Sequence, residues 1–329
     1  MTTLITGATG FVGSAVARKL LAAGHDVRAL TRQSSDLQNL RDLAVEIVQG
    51  DLQDTSSLEK ALQGCTTLLH VAADYRLWVP KPDEIYRNNV AGTRNIIEAA
   101  ARVGVEKIVY TSSVATLGLH SDGSPADEDT PSSLEDMLGH YKRSKFLAEE
   151  AVRELVEKQG VHAVIVNPAA PVGPRDIKPT PTGRMILDAA AGKMPAYVDT
   201  GLDVVHVDDV AEGHLLALEK GRPGRRYILG STNMTLREIL TEVAGIAGVK
   251  PPKVRLHPNM ILPIAYGAEL WARISGKEPL VTVDGVKLSR KKMFFTSERA
   301  RSELGYAPRP AREALVDAVA WFRANGYLS

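Results

Sequence analysis

The sequence predicts an α/β fold, a doubly wound parallel sheet with helices on both faces and a smaller, mostly helical lobe toward the C-terminus. Three observations carry that expectation. Strand-like and helix-like segments alternate through the first half of the chain, the pattern of βαβ units with right-handed crossovers. The chain opens on a β-branched stretch, Thr3 to Thr6, that runs into Gly7-x-x-Gly10-x-x-Gly13 and then into an apolar helical pattern. At 329 residues, with 44% hydrophobic content and a mean hydropathy of −0.10, it has the size and composition of a soluble globular protein with one large core and a smaller companion.

Taken in order, Leu4–Ile5 reads as a strand, Val12–Ala23 as a helix, Val27–Leu30 and Val45–Val48 as strands, and Ser56–Leu62 as a helix. Thr67–Val71 follows as a strand, Asn88–Val103 as a helix, Lys107–Thr111 as a strand, Tyr141–Lys158 as a helix and Ala163–Asn167 as a buried strand. Pro168 to Gly183, rich in Pro and Gly, marks a change of regime. The chain is then expected to return to the sheet at Leu202–His206, and to continue through helix Val210–Leu218, strand Tyr227–Leu229 and helix Leu236–Ala247. The remainder holds a strand-like Lys253–Leu256, an amphipathic helix between Met260 and Gly276, and a terminal helix Arg312–Ala324. The expected division is residues 1–170, with a return at about 202–230, for the sheet domain, and 171–201 with 231–329 for the second lobe.

Lys plus Arg number 40 against 39 Asp plus Glu, a formal net charge of +1, so no global field recruits nucleic acid. The single cysteine, Cys65, excludes an intramolecular disulfide and any cysteine-based zinc site. The N-terminus reads directly as a strand without a leader pattern, and Met260–Gly276 falls short of the about 20 apolar residues a bilayer requires, so a cytoplasmic chain without a transmembrane segment is expected.

The glycine turn predicts a dinucleotide phosphate site. Gly7 permits the tight turn, Gly10 lets the backbone approach a pyrophosphate, and Gly13 lets the helix pack closely on the strand, while the helix N-terminus aims free N–H groups at the anion. Tyr141 and Lys145 lie four apart on one helix and so share a face. The fifth strand ends in Tyr110-Thr111-Ser112-Ser113, where a hydroxyl can meet the phenol. This trio suits hydride transfer at a secondary alcohol: Tyr141 as acid and base, Lys145 lowering its pKa and holding the nicotinamide ribose, and Ser113 bonding the reacting oxygen.

The second strand runs into Thr31-Arg32-Gln33-Ser34-Ser35 with no carboxylate before Asp36, so Arg32 is expected to take a 2′-phosphate; NADP is favoured, with NAD the alternative. Asp51 and Leu52, after the third strand, are expected at the adenine end. His70 reads as a satisfied core imidazole, and Asp208 or Asp209 as the cap of a helix at Val210, with no metal. Arg175 and Lys178 are candidates for an anionic substrate. The basic run Lys287, Arg290, Lys291 and Lys292 reads as a solvated face, with a phosphate-bearing substrate or an anionic membrane surface as the alternative.

Gly7-x-x-Gly10-x-x-Gly13, Ser113, Tyr141-x-x-x-Lys145, Asn89-Val90-x-Gly92-Thr93-x-Asn95 and His206-Val207-Asp208-Asp209-Val210-Ala211 together resemble an extended short-chain dehydrogenase/reductase over essentially the whole chain. The stretches His70 to Trp78 and Gly173 to Gly183 resemble most the hopanoid-associated sugar epimerase group, with dihydroflavonol 4-reductases the next neighbours. Asn167-Pro168-Ala169-Ala170 departs from relatives that carry Ser-Thr after the first proline. The resemblance implies a Rossmann fold, cofactor contacts from Thr9, Phe11, Val12, Ala72 and Pro168 besides the residues above, and a substrate contact from Tyr75. It also implies a sugar-like or polycyclic small-molecule substrate and a homodimer through the helices at 88–103 and 141–158. Either a ketone reductase that exchanges its cofactor or an epimerase that keeps it fits; a dinucleotide-sensing regulator without catalysis is the reading from another class.

Overall fold

The computed structural model describes residues 1–76, 78–276, 279 and 281–328; Leu77, part of the stretch compared above, lies outside the described residues. The chain runs β1 (Thr2–Thr6), α1 (Phe11–Ala22), β2 (Asp26–Thr31), β3 (Glu46–Gln49), α2 (Thr55–Leu62), β4 (Thr67–His70), α3 (Pro82–Tyr86), α4 (Gly92–Arg102), β5 (Lys107–Thr111), α5 (Gly139–Gln159) and β6 (Ala163–Pro168). It continues through β7 (Ala170–Val172), α6 (Pro181–Ala190), β8 (Ala196–Val198), β9 (Gly201–His206), α7 (Val207–Lys220), β10 (Arg226–Leu229), β11 (Thr232–Thr235) and α8 (Leu236–Ala247). The last stretch holds β12 (Val254–Leu256), α9 (Pro258–Ser275), α10 (Val283–Leu288), β13 (Lys292–Met293), α11 (Glu298–Leu304) and α12 (Ala311–Ala324).

Seven parallel strands form the main sheet in the order β10-β6-β5-β4-β1-β2-β3, the doubly wound order with one strand added at the β6 edge. Its central strands β1, β4, β5 and β6 are almost wholly buried because both faces are covered, while the edge strand β3 is largely exposed. In β5 and β6 successive residues alternate sides: Val109, Val164 and Val166 pack with α1 and α7, while Ile108, Tyr110, Ala163 and Ile165 pack with α2, α4 and α5.

The segment 202–206 forms the expected strand but not in the expected sheet. β9 is the centre of a second sheet, antiparallel to β11 and parallel to β7 and β13. An apolar run specifies a strand without specifying its partners, and β7, which leaves β6 after Pro168, supplies the edge that β9 joins. This sheet packs on α6, α8 and α12 through Ile186, Val204, Ile239, Leu240, Leu315 and Phe322. Helix α8 starts as its Thr235-x-x-Glu238 capping box dictates and stops at Gly248 in the left-handed region. The expected helix 88–103 is interrupted, with a π turn at Arg87–Ala91 preceding α4. Helix α7 begins earlier than expected because the His206 ring, not Asp208 or Asp209, caps it, accepting from the Asp208 N–H at 3.0 Å.

At the β1–α1 junction, Gly7 adopts φ +74°, and a Cβ on it would stand only 2.6 Å from the Ala72 nitrogen. A Cβ on Gly13 would come within 2.0 Å of the Gly7 carbonyl oxygen. Both contacts are with backbone, which cannot swing aside. Gly13→Ala is therefore expected to destabilise the protein by about 1–3 kcal/mol, read as a shift in the denaturant midpoint at unchanged slope.

Asp203, on β9, is buried, and that burial raises its carboxyl to about 7 despite the Ser231 N–H donated at 2.8 Å. The folded state thus keeps a proton that the unfolded chain, with a pKa of about 3.9, releases; folding is opposed progressively as pH rises from about 4 to about 7. Asp203→Asn removes this dependence: the variant's stability relative to the parent is expected to improve across that window by at most about 1.4 kcal/mol per pH unit and to level off above it, measured by denaturant unfolding at stepped pH.

Candidate active site

The C-terminal ends of β1, β2, β4, β5 and β6 carry the predicted site residues to one edge of the main sheet, where ligands of doubly wound sheets bind. The glycine turn forms the first part. Gly10 caps α1 without any side-chain bond and no acidic residue occupies the first turn, so the N-terminal N–H groups of a twelve-residue helix are open to an anion. Phe11 and Val12 pack partly buried on the core below. The Thr9 carbonyl accepts from Asn39 Nδ2 at 3.3 Å, and Ala72 N–H donates to Thr6 Oγ1 at 3.2 Å, so β4 closes the other side of the turn. Gly7 and Gly13 let the main chain close up around this helix N-terminus, and a negatively charged pyrophosphate suits the N–H groups left open there.

Arg32 emerges exposed at the end of β2, its main chain turned by reciprocal bonds with Ser35: its N–H donates to Ser35 Oγ at 3.1 Å and its carbonyl accepts from the Ser35 N–H at 2.9 Å. It makes no ion pair among the described residues. Asp51 is exposed after β3, where its carboxylate accepts from Gln53 N–H at 2.8 Å. Leu52 lies over Gly92, its carbonyl held by Asn95 at 2.8 Å.

The Tyr141 phenol lies beside the Ser113 hydroxyl between α5 and the end of β5, and the same Ser113 Oγ accepts from the Ala115 N–H at 3.1 Å. Burial raises the Tyr141 phenol above its ordinary pKa, and the Ser113 bond only opposes this. Lys145, one turn along α5, is held against the end of β5. Its ammonium is buried, with Nζ donating to Thr111 O at 2.8 Å and to Tyr110 Oη at 3.1 Å, and lying 4.8 Å from the centre of the Tyr110 ring. Burial brings it down to about 8, with Glu149 acting in the opposite sense. Beneath it, His70 bonds Thr6 Oγ1 at 2.7 Å and Thr93 Oγ1 at 2.9 Å, stacks on Tyr110, and is held to about 3 by burial and by Lys145; it is a neutral core residue, as read from the sequence.

One residue escaped the sequence reading. Glu149, one turn beyond Lys145 on the same face, is buried and its Oε2 accepts from Ser112 Oγ, Thr116 Oγ1 at 2.9 Å and Asn167 Nδ2 at 2.9 Å, while Oε1 meets Arg226 at 3.4 Å. The same Asn167 amide donates to Ser113 O at 3.1 Å, so Glu149 fixes the backbone that presents Ser113 and the strand end before Pro168. The signal was available: the spacing Tyr141, Lys145, Glu149 extends one helical stripe. Asn89, in the π turn, plays a similar part on the other side, binding both backbone groups of Asp74 at 2.7 and 2.8 Å and Ser144 Oγ at 2.9 Å.

The substrate-side candidates separate. Tyr75 is 47% exposed and lies near Asp74 and Asp176, whose charges raise its phenol along with its burial. Arg175 and Lys178 each meet another segment: the Arg175 carbonyl accepts from Asn39 at 3.2 Å, its guanidinium pairs with Asp208 of α7, and Lys178 lies 3.8 Å from Asp36. Arg175 adopts φ +76°, a left-handed backbone rare for a long side chain. His206 is engaged with Asp317 at 3.1 Å, and no group of three or more His, Cys, Asp or Glu among the described residues is arranged to hold a metal ion.

The chain is similar to known proteins over its whole length. Residues 3–230 match the NAD dependent epimerase/dehydratase family. A Synechocystis sp. protein provisionally named dihydroflavonol 4-reductase is 45% identical over 328 residues, covering 98% of this chain and 95% of its own. Sterol demethylase protein B of Methylococcus capsulatus is 38% identical over 331 residues and the whole of both chains. The crystal structure of gox2253 superimposes with a TM-score of 0.91 at 57% identity, covering 100% of this chain and 99% of that one. The chain thus belongs to the NAD-dependent epimerase/dehydratase family, and so to the extended short-chain dehydrogenase/reductases, enzymes built on a Rossmann sheet that use an NAD(P) nucleotide.

Proposed function

We propose that this protein is an NADPH-dependent reductase that acts on a carbonyl of a polycyclic or sugar-like small molecule, with Tyr141 as the proton donor. The observation that carries this is the Tyr141 phenol facing the Ser113 hydroxyl at the end of β5, two O–H groups that converge where one substrate oxygen can meet both. The names of the dihydroflavonol reductase and sterol demethylase relatives support a ring-bearing substrate.

A nicotinamide nucleotide, when bound, supplies the hydride. The turn at Gly7, Thr9, Gly10, Phe11 and Val12 would hold its pyrophosphate, Arg32 its 2′-phosphate, Asp51 and Leu52 the adenine end, and Ala72, Lys145 and Pro168 the nicotinamide end. Tyr141, held protonated at neutral pH by burial, gives its proton to the carbonyl oxygen as that oxygen gains charge, while Ser113 Oγ–H donates to the same oxygen. The phenolate left behind needs a cation nearby, and Lys145, one turn away and still largely charged at neutral pH, is the residue placed to supply it. Tyr75 would line the substrate, and Arg175 and Lys178, given their positions, contribute on the nucleotide side of the opening. The second sheet with the helices of 231–329 forms the substrate lobe. Family likeness extends the reading to a homodimer through α4 and α5, which pack side by side, and to the cytoplasm.

An epimerase is the second reading, favoured by the family match itself. Interconversion of epimers without net consumption of NADPH, with NAD released only on denaturation, would replace the reductase reading.

Two substitutions test the assignment. Tyr141→Phe is expected to lower kcat by about 10² or more while nucleotide binding, followed by fluorescence titration, persists. Undiminished turnover would remove Tyr141 from the chemistry. Arg32→Glu is expected to cut the preference for NADPH over NADH by about tenfold to a hundredfold, the worth of one charged contact, in paired kcat/KM measurements. An unchanged ratio would place the 2′-phosphate elsewhere or show NAD to be the cofactor.

A further inference from the structure

Helix α9 is apolar on both sides. Its inner side packs Ala265, and more loosely Ile261 and Leu262, against Val283 and Val286 of α10. Its outer side leaves Met260, Ile264, Tyr266, Leu270, Trp271 and Ile274 between 59% and 72% exposed. The residues of that outer stripe recur at helical spacing over four turns. A helix apolar all round is buried on all sides, so this one lacks half of its environment.

The charge around it is equally unbalanced. Residues 250–292 contain nine Lys and Arg against three Asp and Glu, net +6 in a chain whose total is +1. Lys287, Arg290, Lys291 and Lys292 are exposed and make no ion pair among the described residues. Arg290 bonds Asn259 at 2.6 Å, which fixes the basic end of α10 beside the start of α9. Self-association through this face in a two-fold dimer would bring two +6 segments together, which is repulsive. An anionic surface that also accepts apolar and aromatic side chains satisfies both features. No helix among the described residues is long and apolar enough to cross a membrane, so α9 could only lie along such a surface.

We propose that the outward face of α9 and the basic end of α10 form a docking surface for an anionic lipid bilayer. Met260, Ile264, Leu270 and Ile274 enter the acyl boundary, Tyr266 and Trp271 sit at headgroup level, and the lysines and arginine of 287–292 pair with lipid phosphates. The surface adjoins the active-site helix: Asp284 of α10 lies against Gly139 at the start of α5, with its carboxylate 3.1 Å from where a Gly139 Cβ would stand, and Lys142 Nζ reaches Met293 Sδ at 3.9 Å. That the docked enzyme draws an amphiphilic substrate from the bilayer follows if the reductase reading holds; the docking itself does not depend on it.

The test is co-sedimentation of the full chain with vesicles of phosphatidylcholine alone and of equal parts phosphatidylcholine and phosphatidylglycerol. Binding is expected with the anionic vesicles only, and it is expected to weaken as salt rises. Replacing Lys287, Lys291 and Lys292 together by Gln should weaken it about a hundredfold, and the triple change Ile264→Ser, Trp271→Ser and Ile274→Ser by about tenfold or more. Thermal unfolding midpoints of both variants should match the parent, since all the altered side chains are exposed. Quenching of tryptophan fluorescence by brominated lipid, lost in Trp271→Phe, gives a second readout that needs no multiple variant. Equal sedimentation with both vesicle types, or binding that both triple variants retain, overturns the proposal. Self-association that the apolar triple variant abolishes, without vesicle binding, overturns it in favour of a second copy as occupant.

Discussion

Gly13 passes so close beneath the Gly7 carbonyl that no side chain fits between them, and Gly7 in turn is closed against the Ala72 backbone by β4. Three main-chain segments meet there with only hydrogen atoms between them. The position of α1 over the sheet follows from this approach, and with it the direction in which the unbonded N–H groups at its N-terminus point. Asn39, which ties the Thr9 carbonyl to that of Arg175, then brings the segment after β7 to the same turn. The glycine turn and the loop after β7 are arranged around one backbone contact that tolerates only glycine.

The second organising group is the buried Glu149 carboxylate. It gathers hydroxyls from Ser112 and Thr116 and the amide of Asn167, so the ends of β5 and β6 are held to α5 by three short bonds. Burying a charge is costly unless it is well paired and bonded. Here the carboxylate has Arg226 on one oxygen and three donors on the other. Its opposing effect on Lys145 preserves part of that lysine's basicity in a place where burial alone would strip it.

The main sheet was legible in the sequence because its strands are continuous apolar runs punctuated by turns, and because a Gly-x-x-Gly-x-x-Gly turn at the first crossover has a narrow physical meaning. The same holds for Tyr141 and Lys145, whose spacing alone places them on one face. What the sequence withheld were relations between distant segments. The run 202–206 declared itself a strand, but its neighbours β7, β11 and β13 are three short segments with no period of their own. Spacing also set which face Lys145 leaves from and not which acceptors it finds, the Thr111 carbonyl and the Tyr110 hydroxyl of β5. That the Arg175 guanidinium pairs with Asp208 and that Lys178 lies near Asp36 are likewise relations between distant segments that no local pattern carries. Glu149 was readable by extending the stripe one turn further.

β6 ends at Pro168 and β7 begins at Ala170, so a single residue, Ala169, separates a strand of the main sheet from a strand of the second one. Its N–H is itself bonded to Leu229 O at 3.1 Å. Mechanically this is a splice rather than a hinge: a joint of one tethered residue transmits torque. Any twist of the second sheet is delivered within a few residues to Asn167 and through its amide to the backbone of Ser113, since the two sheets share one continuous ribbon of chain.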